Sequence, residues 1–162
     1  MGLGGDGSVI TLHPGDVACA DHGVRLETLL GSCVSIILAD PRRTIGAMCH
    51  IVYCGAFEGL AWRAEIAPAG LTGAGALRAM YARLTERGIE PRRCHAYVYG
   101  GGNMFPELAQ QRHVGIDNAN WALQALAREG LTVLDCDLGG HCYRRLAWTV
   151  GPDRPEVTSI EV

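Results

Sequence analysis

Two apolar runs of strand length, residues 34–39 (VSIILA) and 45–53 (IGAMCHIVY), flank the polar break Asp40-Pro41-Arg42-Arg43. Branched and small apolar residues on either side of a proline-containing turn predict a β-hairpin. With residues 40–43 as the turn, 39 pairs with 44 and 38 with 45, and counting outward sets Cys33 opposite His50. Opposed residues on one face of an antiparallel pair have Cβ atoms about 4.5–5.5 Å apart. The hairpin thus commits the chain to a sheet, and its register commits a thiol and an imidazole to each other.

The remaining elements follow from shorter signals. SVITLHPG and DVACA read as two short strands around Pro14-Gly15. Leu77, Met80, Tyr81 and Leu84 recur at helical spacing, so 73–87 is an amphipathic helix closed by Gly88. CHAYVY reads as a strand followed by the loop GGGNMFP. Asp117 or Asn118 is placed to cap a second helix carrying Trp121, Ala122, Ala125 and Leu126 and ending at Gly130. LTVLDCDLGG and YRRLAWTVG read as a late strand pair, and EVTSIEV as a final edge strand. Residues 54–70 form a connector without a period. The order of strands, helix, strand, helix, strands predicts an α+β fold, a layered sandwich with a mixed β-sheet flanked by helices. Without a repeat or an internal linker, the 162 residues are expected to form one domain, with 1–7 as a flexible lead-in.

Composition removes several classes of function. Net charge is −3 with no long basic run, which gives no support for nucleic-acid binding or an anionic membrane surface. The apolar runs fall well short of the ~20 residues that span a bilayer, and MGLGGDGSV lacks the basic start and apolar core of a signal peptide. The expected setting is the cytoplasm, where the seven cysteines are reduced thiols.

Cys33 with His50 is the pair that can carry chemistry. A cysteine amidohydrolase needs a thiol and an imidazole that takes its proton and later gives it to the leaving amine. Gly31 and Ser32 are small enough to admit a substrate and can turn peptide N–H groups toward an oxyanion. Thr28 or Ser32 can orient the imidazole or bond the substrate amide. The loop YGGGNMFP lacks the Gly-Lys-Ser/Thr of a P-loop and reads as a tight glycine turn, able to wall a peptide groove. Cys49 with Cys54, and Cys136 with His141 and Cys142, offer soft ligands for zinc, but none forms a CxxC pair. In the hairpin Cys49 points to the face opposite His50. Asp135 and Asp137 read as part of a polar turn before Gly139-Gly140, and Arg144-Arg145 as a solvated strand end.

Taken together and in order, TLLGSCVSIILADPRRTIGAMCH, YGGGNMF, VGIDNANWALQAL and DCDLGGHCYRR resemble the chemoreceptor glutamine deamidase family, CheD. The resemblance runs from about Ser8 to about Val150. It implies a bacterial cytoplasmic enzyme that hydrolyses glutamine side chains on methyl-accepting chemotaxis receptors to glutamate and releases ammonia. The implied fold is a layered sandwich similar to the catalytic domains of glutamine-deamidating toxins. The family nucleophile maps on Cys33, its histidine on His50 and its threonine on Thr28, with no metal or organic cofactor required. Some CheD proteins also bind the phosphatase CheC, so a CheC-like partner is a second expectation. Three departures concern partner choice more than the reaction. Cys49 stands where asparagine is common, residues 54–75 match poorly, and HCYRR lacks the usual glycine before its basic pair. The competing functions are a non-catalytic regulator of a CheC-like phosphatase and a hydrolase of another amide or of receptor methyl esters.

Overall fold

The structure, a computed structural model, describes residues 7–54, 68–105 and 114–162. The lead-in expected over 1–7, apart from Gly7, and most of the connector expected over 54–70 lie outside the described residues. Nine strands and two helices are described: β1 (Val9–Leu12), β2 (Val17–Asp21), β3 (Arg25–Leu30), β4 (Val34–Ala39), β5 (Ile45–Cys49), α1 (Gly73–Glu86), β6 (His95–Gly100), α2 (Val114–Arg128), β7 (Thr132–Leu138), β8 (Cys142–Thr149) and β9 (Glu156–Glu161). They build two sheets, one of five strands in the order β2-β5-β4-β6-β7 and one of four in the order β1-β3-β8-β9. Each sheet is mixed, with one parallel pair apiece, β6 with β7 and β1 with β3.

Strand β4 shows why the layers stack as they do. Successive side chains of a strand point to opposite faces, and all six of its residues are buried. Val34, Ile36 and Leu38 pack against Ala76, Met80 and Leu84 of α1 and Ala122 and Leu126 of α2. Ile37 and Ala39 face the other way, into a second cluster with Leu26, Leu30, Leu146 and Trp148 of the four-stranded sheet. The continuous apolar run is therefore the centre of a three-layer α/β/β sandwich, covered by helices on one side and a sheet on the other. The α+β class with mixed sheets and two helices is the class expected from sequence.

Helix α1 starts at the Thr72 cap, whose hydroxyl accepts from Gly75 N at 3.2 Å, and stops before Gly88, which takes φ 78°. Several expectations change. The hairpin register is two residues away from the simple count, with Ala39 opposite Gly46 and Ile37 opposite Met48. Asp40 causes the shift: its carboxylate accepts from Thr44 N and Ile45 N, each at 2.8 Å, and widens the turn. Beyond β5 the pairing resumes at a bridge between Val34 and Ile51, so position 50 faces Ser35 and Cys33 is its diagonal neighbour. The two short N-terminal strands do not share a sheet, and neither do β7 and β8. Helix α2 is described from Val114 on, which puts Asp117 and Asn118 within the helix rather than at a cap. Strand β3 has no counterpart among the expected elements.

Candidate active site

Parity in the strands gathers the candidate residues into one layer. Leu26 and Leu30 of β3 face the second core, and Thr28 between them faces the same way. On the opposite sheet Met48 faces that core, so His50, two residues on, is turned to the same side. Cys33 packs against this cluster from the end of β4 and remains partly exposed. Thr28 thus comes from one sheet and Cys33 and His50 from the other, at a single edge of the inter-sheet space. As diagonal neighbours across the hairpin, Cys33 and His50 have Cα atoms roughly 7–8 Å apart, the usual spacing of such a pair.

Hydrogen bonding assigns the tautomer of His50. The Thr28 hydroxyl lies 2.7 Å from His50 Nδ1 and 2.8 Å from the carbonyl oxygen of Leu12. A hydroxyl has one proton, and a carbonyl can only accept. Thr28 Oγ1 therefore donates to Leu12 and accepts from an Nδ1–H, which leaves the Nε2 lone pair free. His50 is 3% and Thr28 5% exposed, so water does not compete for either bond. Burial lowers the His50 pKa to about 4, against a smaller raising effect of Asp16. The imidazole is neutral at physiological pH and can act as a base. Burial also raises the Cys33 pKa, so the thiol is protonated at rest. Among the described residues that thiol has no hydrogen-bond partner.

The segment before Cys33 is tied down from behind. Gly102 N donates to Gly31 O and Gly101 N to Cys33 O, both at 2.9 Å. This use of the glycine loop demands close approach. A Cβ on Gly100, which sits at φ 117°, would lie 2.2 Å from Cys33 O, and one on Gly115 would lie 2.4 Å from Gly102 O. The GGG loop backs the segment that leads into Cys33 with two of its amides. Asn118, expected as a cap, is instead 1% exposed, and its Nδ2 donates to Ser32 O at 2.9 Å. Sequence reasoning missed this role, although Asn118 falls on the buried stripe of α2 with Gly115, Ala119 and Ala122.

The other candidates separate. Cys49 faces the helices, where its thiol accepts from Ile36 N at 3.4 Å and donates to Ile36 O at 3.6 Å, standing in for a rung of the β4–β5 ladder. Cys54 and Cys142 are buried and Cys136 is exposed. Among the described residues no three His, Cys, Asp or Glu side chains converge as metal ligands. Asp135 and Asp137 lie on β7 rather than in a turn, accepting from Tyr99 Oη and Arg144 respectively, each at 3.1 Å. Arg144 does not face solvent, contrary to what is expected of both arginines. It is 3% exposed and donates to Gly100 O at 3.2 Å and Gly139 O at 2.8 Å, joining the glycine loop to the β7–β8 turn. Arg145 faces solvent.

A family model described as CheD chemotactic sensory transduction matches residues 65–155. The "Probable chemoreceptor glutamine deamidase CheD 2" of Albidiferax ferrireducens is 35% identical over 147 residues, covering 87% of this chain and 81% of that protein. The CheD 1 protein of Chromobacterium violaceum, named in the same words, is 32% identical over 148 residues, covering 89% and 74%. A CheD of Pseudomonas syringae pv. tomato is 35% identical over 142 residues, covering 85% and 80%. Among solved structures, Neisseria meningitidis protein NMB0706 aligns with a TM-score of 0.43 at 19% identity, over 77% of this chain and 52% of that one.

Proposed function

Because this chain belongs to the CheD family, we propose that it is a chemoreceptor glutamine deamidase that works through a thioester on Cys33. The substrate is a glutamine side chain on a cytoplasmic helix of a methyl-accepting chemotaxis receptor, and the product is glutamate. In the cytoplasm its second partner is a CheC-like phosphatase where the cell carries one. No helix among the described residues is long and apolar enough to cross a membrane.

The Cys33 sulfur attacks the carboxamide carbon while His50 Nε2 takes the thiol proton. The carbonyl π pair moves onto oxygen, and the N–H groups of Ser32 and Cys33 receive that charge. The imidazolium, held in place by Thr28 at Nδ1, gives its Nε2 proton to the departing nitrogen, the C–N bond breaks and ammonia leaves. Water then adds to the thioester with His50 as base. Collapse expels the sulfur, which recovers its proton from His50 and leaves the carboxylic acid. The net change is amide plus water to acid plus ammonia. The product carries a charge that receptor methylation can neutralise.

The observation that carries this reading is the Thr28–His50 contact of 2.7 Å with its onward bond to Leu12. It supports a neutral imidazole with a free Nε2 in the layer that holds a partly exposed cysteine. Cys33→Ala is expected to abolish ammonia release and the gain of about one dalton per site on a receptor fragment, with the thermal unfolding midpoint preserved. Wild-type turnover by that variant would end the proposal.

A further inference from the structure

The peptides leading into Cys33 are held by their carbonyls. Gly31 O is bound by Gly102 N at 2.9 Å, Ser32 O by Asn118 Nδ2 at 2.9 Å and Cys33 O by Gly101 N at 2.9 Å. No peptide bond in the described chain is cis, and in a trans peptide the N–H points away from the C=O of the same unit. The Ser32 amide is therefore aimed away from Gly102, and the Cys33 amide away from Asn118. Among the described residues nothing accepts from either one, whereas the next amide, Val34 N, donates to Ile51 O at 3.1 Å.

Asn118 is the one side chain in this arrangement. It lies on the buried face of α2, where an apolar residue would pack at no polar cost. Its carboxamide is spent on backbone from two segments. Nδ2 also donates to Val52 O at 3.1 Å, and Oδ1 accepts from Cys54 N at 2.9 Å. One amide thus ties the bend before Cys33 to the chain that follows His50.

We propose that Asn118 is a positioning residue for the reaction: by anchoring the Ser32 carbonyl it turns the Cys33 N–H toward the oxygen of the tetrahedral intermediate. The inference rests on the thioester reading of Cys33 but not on the identity of the substrate. It places the role of Asn118 in oxyanion stabilisation and not in the acidity of the thiol.

The test uses the full chain and two probes of Cys33, each scored on the Cys33 peptide by mass spectrometry. Acylation by p-nitrophenyl acetate passes through an oxyanion; alkylation by iodoacetamide is a displacement that forms none. Asn118→Asp keeps an acceptor for Cys54 N and removes both donors. It is expected to slow acylation about 100-fold, the scale of one lost oxyanion donor, and to leave alkylation within about threefold. On a receptor fragment kcat falls by a similar factor while KM holds within about threefold. Asn118→Ser, which brings no charge into the core, decides the question where the aspartate variant fails to fold. A ratio of acylation to alkylation unchanged from wild type, or the two rates falling together, overturns the inference. A wild-type chain that is acylated at Cys33 but releases no ammonia from receptor glutamines overturns the substrate reading and leaves this one standing.

Discussion

Thr28→Val isolates the bond that assigns the His50 tautomer. The substitution exchanges a hydroxyl for a methyl group of similar shape, so packing between the sheets is nearly preserved. It strips a partner from two buried groups, His50 Nδ1–H and Leu12 C=O. Leaving a buried polar group unpaired costs about 1–3 kcal/mol, so the two groups together cost roughly 2–6 kcal/mol. A domain in the upper half of the usual range of about 5–15 kcal/mol survives this, with its midpoint lowered by about 4–24 °C at roughly 2–4 °C per kcal/mol for this chain length. Turnover suffers separately. Without the acceptor at Nδ1 the imidazole populates the tautomer protonated at Nε2, which cannot take a proton from Cys33. If the bond biases the tautomers by about 2–3 kcal/mol, its loss lowers kcat roughly 30- to 150-fold. Ammonia release from a receptor fragment gives kcat, and a thermal melt shows that the assay temperature lies below the transition. Thr28→Ser keeps the hydroxyl and is expected within about threefold of wild type. A folded valine variant with wild-type kcat, or a serine variant as slow as valine, would refute the reasoning.

The remaining expectations concern pH and the buried polar inventory. With the His50 pKa at about 4, the acid limb of kcat/KM should fall near pH 4, and the raised Cys33 pKa should keep the alkaline limb above pH 9; an acid limb near pH 6.5 would contradict the burial of His50. The same shift ties stability to pH: between about 6.5 and 4 the unfolded chain binds the proton and the folded chain does not. Stability is then full above 6.5 and declines by up to about 3 kcal/mol as pH falls to 4. Denaturant melts at the two ends should show this slope, reduced in His50→Gln. Ser35 is fully buried and its hydroxyl has no partner, so Ser35→Ala should raise the midpoint by about 2–4 °C, and a fall of that size would mean that the hydroxyl is satisfied after all.

Legibility of the fold and site followed the strength of the local signal. The hairpin strands were plain from their apolar runs, but the register was not, because the Asp40 carboxylate organises the amides of Thr44 and Ile45 and Arg43 takes φ 59°. The slip was two residues, an even number, so Cys33 and His50 kept the same face; a slip of one would have separated them. Strand β3 was missed because Leu29, on its outer face, breaks the alternation of Leu26, Thr28 and Leu30 facing in. With it went the evidence that Thr28 approaches from a second sheet. Asn118 reads as a cap because asparagine favours caps, although helical periodicity alone sets it on the buried stripe. Arg144 shares its parity with Cys142, Leu146 and Trp148, all buried. An arginine there is legible only once the carbonyls of Gly100 and Gly139 are known to converge on it.

The resting state of the pair follows from how the site is assembled. Burial acts on Cys33 and His50 in opposite directions on the pH scale but toward the same end, since each shift favours the uncharged form. The free protein therefore holds a neutral thiol and a neutral imidazole in one layer and not a preformed ion pair. A neutral thiol is a poor nucleophile and a slow target for oxidants, which suits a partly exposed cysteine. In the proposed reaction charge separation becomes favourable only when a carbonyl occupies the site, because the thiol proton then moves to Nε2 as negative charge appears on an oxygen rather than on sulfur. Under the same proposal the groups that meet that oxygen are the backbone amides of Ser32 and Cys33, whose peptides Gly102 and Asn118 hold by their carbonyls, so no dipole has to reorganise when it forms. In such a site reactivity depends on the clamp behind the nucleophile as much as on the base beside it.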